Sequence, residues 1–287
     1  MRIKPWFFFA LCTTVFWGIW GALSELPVKE GFPPTLGYVV WAFTMIIPTI
    51  IALKIIHWKP ERHKKALLHG LLIGFFGAAG QLILFEALKR GPAYLVFPFV
   101  SLSPLVTIFL SLFIIKEKAS VRSWAGIVIA LIAIPLLSYQ PPGNENEYGS
   151  IWILLSLLVF LFWGIQAYFI RVANYHMKAE SIFFYMTIAS IGLIPFALLF
   201  TDFNEGMNWS VKWPFITAGI QILNAVGALF IVYAFRYGKA IIVSPLTNTG
   251  APVITIILSL LIYGVFPHFI ISIGMLMAII AIFLMAE

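Results

Sequence analysis

The chain has 287 residues, of which 62% are hydrophobic and 10% charged, and its mean hydropathy is +1.01. A soluble domain of that composition would expose far more apolar surface than its polar residues could cover, so the chain is built for a bilayer. Its net charge of +7 does not mark a nucleic-acid binder, because the basic residues are spread over short segments and not gathered on one face.

Apolar runs in chain order predict ten spans, near 5–24, 35–56, 67–90, 92–115, 121–138, 149–171, 180–201, 212–237, 239–263 and 268–286. All are expected to be helices, since a spanning segment must satisfy its own backbone hydrogen bonds. The first reads as a retained span, because no small-residue cleavage pattern follows it. The lone Cys12 excludes a disulfide within one chain. The longest polar stretch, Gln140 to Gly149 with Pro141, Pro142 and Gly143, falls between the fifth and sixth spans and reads as a linker.

That linker separates two copies of one pattern. Phe16-Trp17-Gly18-Ile19 returns as Phe162-Trp163-Gly164-Ile165, a shift of 146. Gly91, Ala93 and Pro98 return as Gly238, Ala240 and Pro245, a shift of 147. Pro104, Thr107, Ser111, Gly126, Ala130 and Ala133 return as Pro252, Thr255, Ser259, Gly274, Ala278 and Ala281, a shift of 148. Five spans per copy is an odd number, so the second copy is expected to be inverted in the membrane, as in many secondary transporters. The expected units are 1–139 and 149–287, joined by 140–148.

With a cytoplasmic N-terminus, fourteen of the 18 basic residues fall on inside segments; Lys29, Lys89, Arg90 and Lys212 fall outside. The positive-inside rule then places both termini in the cytoplasm, in a cytoplasmic (inner) membrane. The basic segment His57 to His69 reads as a loop facing anionic headgroups.

The paired Phe-Trp-Gly-Ile motifs, the segment from Gly91 through Pro98 and Pro104, and its echo at Gly238, Ala240, Pro245 and Pro252 resemble the drug/metabolite transporter superfamily, specifically its ten-helix EamA branch. The resemblance covers nearly the whole chain. It implies an all-α integral membrane protein of ten transmembrane helices in two inverted five-helix repeats, moving small metabolites along a central path. Lys116-Glu117-Lys118, ending the fourth span, also fits that family, whereas its counterpart Tyr263-Gly264-Val265 has lost the charges.

Polar side chains deep in hydrocarbon are costly unless they meet a partner or a wet cavity, which makes them the candidates for a substrate site. Gln81 lies near the middle of the third span, and Gln221 and Asn224 lie on one face of the eighth. Ser101 and Ser103 precede Pro104; Thr247 and Asn248, with Thr249, precede Pro252, where a proline frees a helical carbonyl. Trp17 and Trp20 stand one turn apart on the first span, with Trp163 and Gln166 as their mates. These aromatics read as cavity walls for an amphipathic or cationic solute, or as cross-helix packing around Gly18, Gly21 and Gly164. Trp6, Trp41, Trp58, Trp124 and Trp213 read as anchors or packing.

Glu86 is the carboxylate inside a span, and is either a coupling group or the partner of Lys89 and Arg90 at i+3 and i+4. Arg171 and Arg236 at span ends read as topological charges, with a gating role as the alternative. The five histidines show no metal-ligand spacing, a nucleotide loop is absent from the sequence, and neither Ser101 nor Ser103 has a histidine at its depth, so the chain is expected to be no enzyme and to need no cofactor. The expected partners are a small-molecule substrate and the lipid bilayer, with a homodimer left open. The function expected is secondary transport by alternating access, with export of a small polar or amphipathic metabolite such as an amino acid derivative favoured. Uptake of a sugar-like solute, and a non-transporting scaffold or lipid-handling subunit, are the alternatives.

Overall fold

The computed structural model describes residues 4–90, 96, 99–139, 150–203, 210–263 and 266–286. The linker and the Gly91, Ala93, Pro98 and Gly264-Val265 positions lie outside them. The described residues form helices and no strand: α1 (Pro5–Leu23), α2 (Glu25–Lys29), α3 (Pro34–Thr44), α4 (Ile46–Ile55), α5 (Lys64–Arg90), α6 (Pro104–Phe113), α7 (Val121–Leu137), α8 (Ile151–Ala173), α9 (Ala179–Gly192), α10 (Ile194–Leu199), α11 (Lys212–Tyr237), α12 (Ala240–Tyr263) and α13 (Phe269–Met285).

Seven stretches among them are long and apolar enough to cross a membrane, and three shorter apolar helices, Phe99–Phe113, Val121–Leu137 and Phe269–Met285, accompany them. The protein is therefore a multi-pass membrane protein. Three of the long stretches contain a break, at Ser24 between α1 and α2, at Met45 between α3 and α4, and at Leu193 between α9 and α10. Pro48 and Pro195 follow the last two breaks, and each lacks the N–H that would continue the ladder. They are 147 apart, so the break itself is part of the repeat. By contrast α12 runs unbroken through Pro245 and Pro252.

The helices interleave across the repeats. α1 packs on α11 and α12, while its mate α8 packs on α5 and α6. α7 and α13 pack on each other along a seam of small residues, with Ala130, Ala133, Ala278 and Ala281 fully buried. A Cβ on Gly126 would lie 3.0 Å from the Ala281 carbonyl, and one on Gly274 would lie 3.0 Å from the Leu137 nitrogen. Lipid tails are as apolar as the side chains, so close backbone approach and dispersion hold such a seam together. The caps are mates too: Ser120 accepts from Ser123 N at 3.1 Å ahead of α7, and His268 from Ile270 N at 3.2 Å ahead of α13.

Three histidines meet where α5 begins and α8 ends. The His69 ring is 4.8 Å from that of His176, and His63 is 6.1 Å from it. His176 sits in the connection to α9, and its Nε2 is buried with no hydrogen-bond partner among the described residues. Burial pushes its pKa below the usual 6.5, assisted by the charges of His69, His63 and Lys65. A group depressed in the folded state binds fewer protons there than in the unfolded chain, so its contribution is intact above about pH 6.5 and is lost as pH falls below it. Melting temperatures of the purified protein should drop between pH 7 and 5, and His176→Gln should flatten that slope. An unchanged slope would remove His176 as its source.

Candidate functional site

The candidate site residues sit among glycines and tryptophans on mated helices. On α11, Gly227 leaves room for the Trp17 ring; a Cβ there would lie 2.5 Å from its Cδ1. Trp17 Nε1 donates to the Asn224 carbonyl at 3.3 Å, and Trp20 Nε1 donates to Gln221 Oε1 at 3.0 Å. In the other half, Gly80 on α5 receives Trp163, whose Nε1 donates to the Gly77 carbonyl at 3.3 Å, and Gln166 packs over Gly77. Asn224 and Gly77 are 147 apart, as are Gly227 and Gly80. One contact has been built twice.

Gly18 and Gly164 do the same on the other flank of their helices. Thr255 on α12 donates to the Gly18 carbonyl at 2.9 Å, and its mate Thr107 on α6 donates to the Gly164 carbonyl at 3.0 Å. A Cβ on Gly18 would be 2.5 Å from Ile254 Cβ, and one on Gly164 would be 2.4 Å from Val106 Cβ. Each Phe-Trp-Gly-Ile motif is thus a three-helix joint: tryptophan faces one neighbour, glycine the other. Of the two roles expected for Trp17 and Trp163, cross-helix packing is the one these bonds display.

The remaining candidates divide between bonded and free groups. Ser101 Oγ lies 3.2 Å from Oγ of Ser138, the C-cap of α7, Thr247 donates to the Val243 carbonyl at 3.0 Å, and Asn248 Nδ2 donates to the Ser244 carbonyl at 2.9 Å. Ser103 is buried. The side-chain amides of Gln81 and Asn224 are half-buried and carry no hydrogen bond among the described residues. Gln221 faces Gly37 of α3, where a Cβ would lie 4.0 Å from its Nε2. Trp41, one turn further along α3, was expected to be an anchor or packing and packs against two clusters of buried residues, one of them Tyr38, Ala42, Ala78, Leu82 and Ala197; its Nε1 is buried and unpartnered among the described residues. An unpaired indole N–H could not have been read from sequence.

Glu86 binds Arg90 Nε at 2.5 Å, with both side chains partly exposed, which is the pairing expected of an i, i+4 ion pair. The Lys89 side chain lies outside the described residues.

Sequence patterning missed the tightest polar cluster, at the end of the bundle where α1 begins. Glu117, 5% exposed at its side chain, accepts from Arg171 Nε at 2.8 Å and from the Ile241 N–H at 3.2 Å. Arg171 Nη1 also donates to the carbonyls of Phe235 at 2.9 Å and Arg236 at 3.3 Å. Lys116 holds a left-handed φ of 55°, an uncommon conformation for a residue with a Cβ, and turns the chain so that Glu117 points inward. One carboxylate from the first repeat therefore clasps α8, α11 and α12 of the second. A charged triplet in a loop looks like topology, and only the fold shows that its middle member is buried.

Interleaved helical repeats with this polar, glycine-cut interior define a class, a two-repeat helical membrane protein. The chain belongs to the EamA-like transporter family, whose model matches residues 4–139 and again residues 150–286. Protein LicB of Haemophilus influenzae is 24% identical over 210 residues, 65% of this chain and 70% of that protein. A probable 4-amino-4-deoxy-L-arabinose-phosphoundecaprenol flippase subunit ArnE of Hamiltonella defensa is 30% identical over 80 residues, 28% of this chain and 72% of that one. A solved crystal structure superposes with a TM-score of 0.79 at 16% identity, covering 99% of this chain and 96% of the other, and so shares the fold.

Proposed function

We propose that the protein is a secondary transporter with ten spans in two inverted five-helix repeats, both termini cytoplasmic, exporting a small polar or amphipathic metabolite of the amino-acid-derivative class by alternating access. It is proposed to be no enzyme. The observation that carries this reading is the pair of amides without a hydrogen bond among the described residues, Gln81 on α5 and Asn224 on α11; the indole of the opposite repeat bonds the carbonyl of Asn224 itself in one half and of Gly77, one turn before Gln81, in the other. An amide left without partners at mid-membrane is costly unless a ligand or water meets it. Donor and acceptor together suit a substrate carrying both, such as an amino acid, and the indole walls suit its apolar part.

Comparing metabolites inside and outside cells with and without the protein tests the export claim. A metabolite retained in its absence and released in its presence is expected; no difference in any amino-acid-like compound would contradict it. Asn224→Ala should then weaken affinity for that compound by roughly 1 to 3 kcal/mol, the scale of losing a buried hydrogen-bond partner, with protein abundance unchanged. Asn248→Ala should cost less, because its amide already bonds its own helix. A reporter on the C-terminus that reads as external would contradict the orientation.

A second reading has a specific support. An apolar groove of about 210 Å³ lined by Phe75, Ala79, Leu82, Leu193, Phe196 and Phe200 lies between α5 and the α9–α10 break, and it would suit a lipid chain. With the similarity to the ArnE protein, it favours handling of a lipid-linked substrate, which would show as a change in lipid-linked sugars with free metabolites unchanged.

A further inference from the structure

The joints around Trp17 and Trp163 are built twice, but one contact beside them is not. Trp20 Nε1 of α1 donates to Gln221 Oε1 of α11 at 3.0 Å. At the repeat spacing, Gln166 stands where Trp20 does and Gly74 stands where Gln221 does. A Cβ on Gly74 would lie 2.5 Å from Ala189 Cβ, so that position leaves no room for a side chain. Trp41 is equally unmatched, with Ile188 as its mate. A molecule with two unlike ends is met best by groups that depart from the two-fold repeat in this way.

Chemistry fixes the polarity of the unmatched contact. An indole N–H donates and cannot accept, so the Gln221 amide must turn its oxygen to Trp20 and present its NH2 elsewhere. That nitrogen faces Gly37 of α3, where a Cβ would lie 4.0 Å away, and it meets no acceptor among the described residues. One turn along the same face of α3, Trp41 holds a second N–H without an acceptor among the described residues. Asn174 and Asn248 are bonded the other way round. Asn174 Nδ2 donates to the carbonyls of Ile170 and Val232, and Asn248 Nδ2 donates to that of Ser244. In both, the nitrogen is the end that joins the helices or the turn. At Gln221 the oxygen is used and the nitrogen is left over, and the group that completes an unused donor is an oxygen with free lone pairs.

We propose that Gln221 selects the acidic end of the substrate, its NH2 donating to a carboxylate oxygen, and that Trp20 is the positioning residue that holds the amide in this orientation. The inference rests on the amino-acid reading of the site and gives it a direction. Asn224 lies three residues, or about 4.5 Å, further along α11, so the carboxylate sits at Gln221 and the rest of the molecule reaches toward Asn224. An amine lacking the carboxylate would set donor against donor there and be rejected.

The test uses full-length protein in liposomes with two labelled mixtures, amino acids and the primary amines that carry the same side chains without the carboxylate. Wild type should take up the acids, with an excess of the amines competing poorly. Gln221→Glu keeps an oxygen for Trp20 but offers no donor and adds a negative charge, so KM for the acids should rise roughly tenfold or more while competition by the amines strengthens. Gln221→Met, of similar length without the amide, should lose the preference without reversing it. Trp20→Phe, which frees the amide to rotate, should narrow the preference through KM more than kcat. A preference unchanged in Gln221→Glu and Gln221→Met would overturn the proposal, and one unchanged in Trp20→Phe would strike Trp20 from it. If wild type takes up neither mixture, the amino-acid reading fails on its own, and magnetic resonance of protein labelled at the side-chain nitrogens of its four glutamines decides the polarity of Gln221. Acetate should shift the amide signals that vanish in Gln221→Met, and methylammonium at equal ionic strength should not; signals that acetate leaves unmoved would refute it.

Discussion

Glu117→Gln is expected to lower stability by about 3–5 kcal/mol, the usual cost of removing one partner from a buried ion pair. The glutamine would still accept from Arg171 or from the Ile241 N–H, but Arg171 would keep a buried charge, 14% exposed at its side chain, with two carbonyls and the face of the Tyr175 ring, 4.7 Å from its Cζ, but no anion to answer it. The loss should appear as a fall in melting temperature in detergent. The double variant Glu117→Leu with Arg171→Met should recover much of it, since a hydrophobic pair carries no desolvation penalty. If the single and double variants melt alike, the attraction is not what holds this end together. Because the clasp joins one carboxylate of the first repeat to three helices of the second, its rupture should also raise accessibility at the end of the bundle where α1 begins. In alternating access, that is the end the clasp would keep shut.

Leucine at Gly18 or Gly164 should be nearly as damaging, and equally so in both repeats. A Cβ alone would already fall 2.5 Å from Ile254 Cβ or 2.4 Å from Val106 Cβ, and these are branched side chains on neighbouring helices with little freedom to move. The helices would have to separate, breaking the Thr255 or Thr107 bond to the glycine carbonyl as they went. Folded yield after solubilisation should fall sharply for both, whereas leucine at Gly219, which has nothing within 4 Å of its Cβ, should be tolerated. A strong effect at Gly18 with none at Gly164 would contradict the equivalence of the two joints.

Much of this design was legible in the residues. The spacing of Phe-Trp-Gly-Ile, of Thr107 and Thr255, and of the Gly-Ala seam residues identified mated positions, and the structure gives each pair the same contact. What the spacing could not supply was partner identity. Trp17 and Trp163 read as walls or as packing until the Asn224 and Gly77 carbonyls appeared opposite them. Charges near span ends were the least legible, because burial there depends on how loops fold back. Glu117 passed for a topology signal, while Glu86, which looked deepest, is the more exposed of the two. Helix breaks at Met45 and Leu193 were also invisible as breaks, since proline near a span centre bends some helices and leaves others, such as α12, continuous.

The claim on which the rest depends is that the midplane amides face a water-filled path. Single cysteines at Gln81 and Asn224, placed in a Cys12→Ser background and probed in intact membranes with a small hydrophilic thiol reagent, test it without knowledge of the substrate. Both should react, and far faster than a cysteine at Phe109, which is 60% exposed on an apolar helix face and would meet lipid. Amide-site cysteines that react no faster than the one at Phe109 would mean that Gln81 and Asn224 face lipid or closed packing, and that the transport path does not run between α5 and α11.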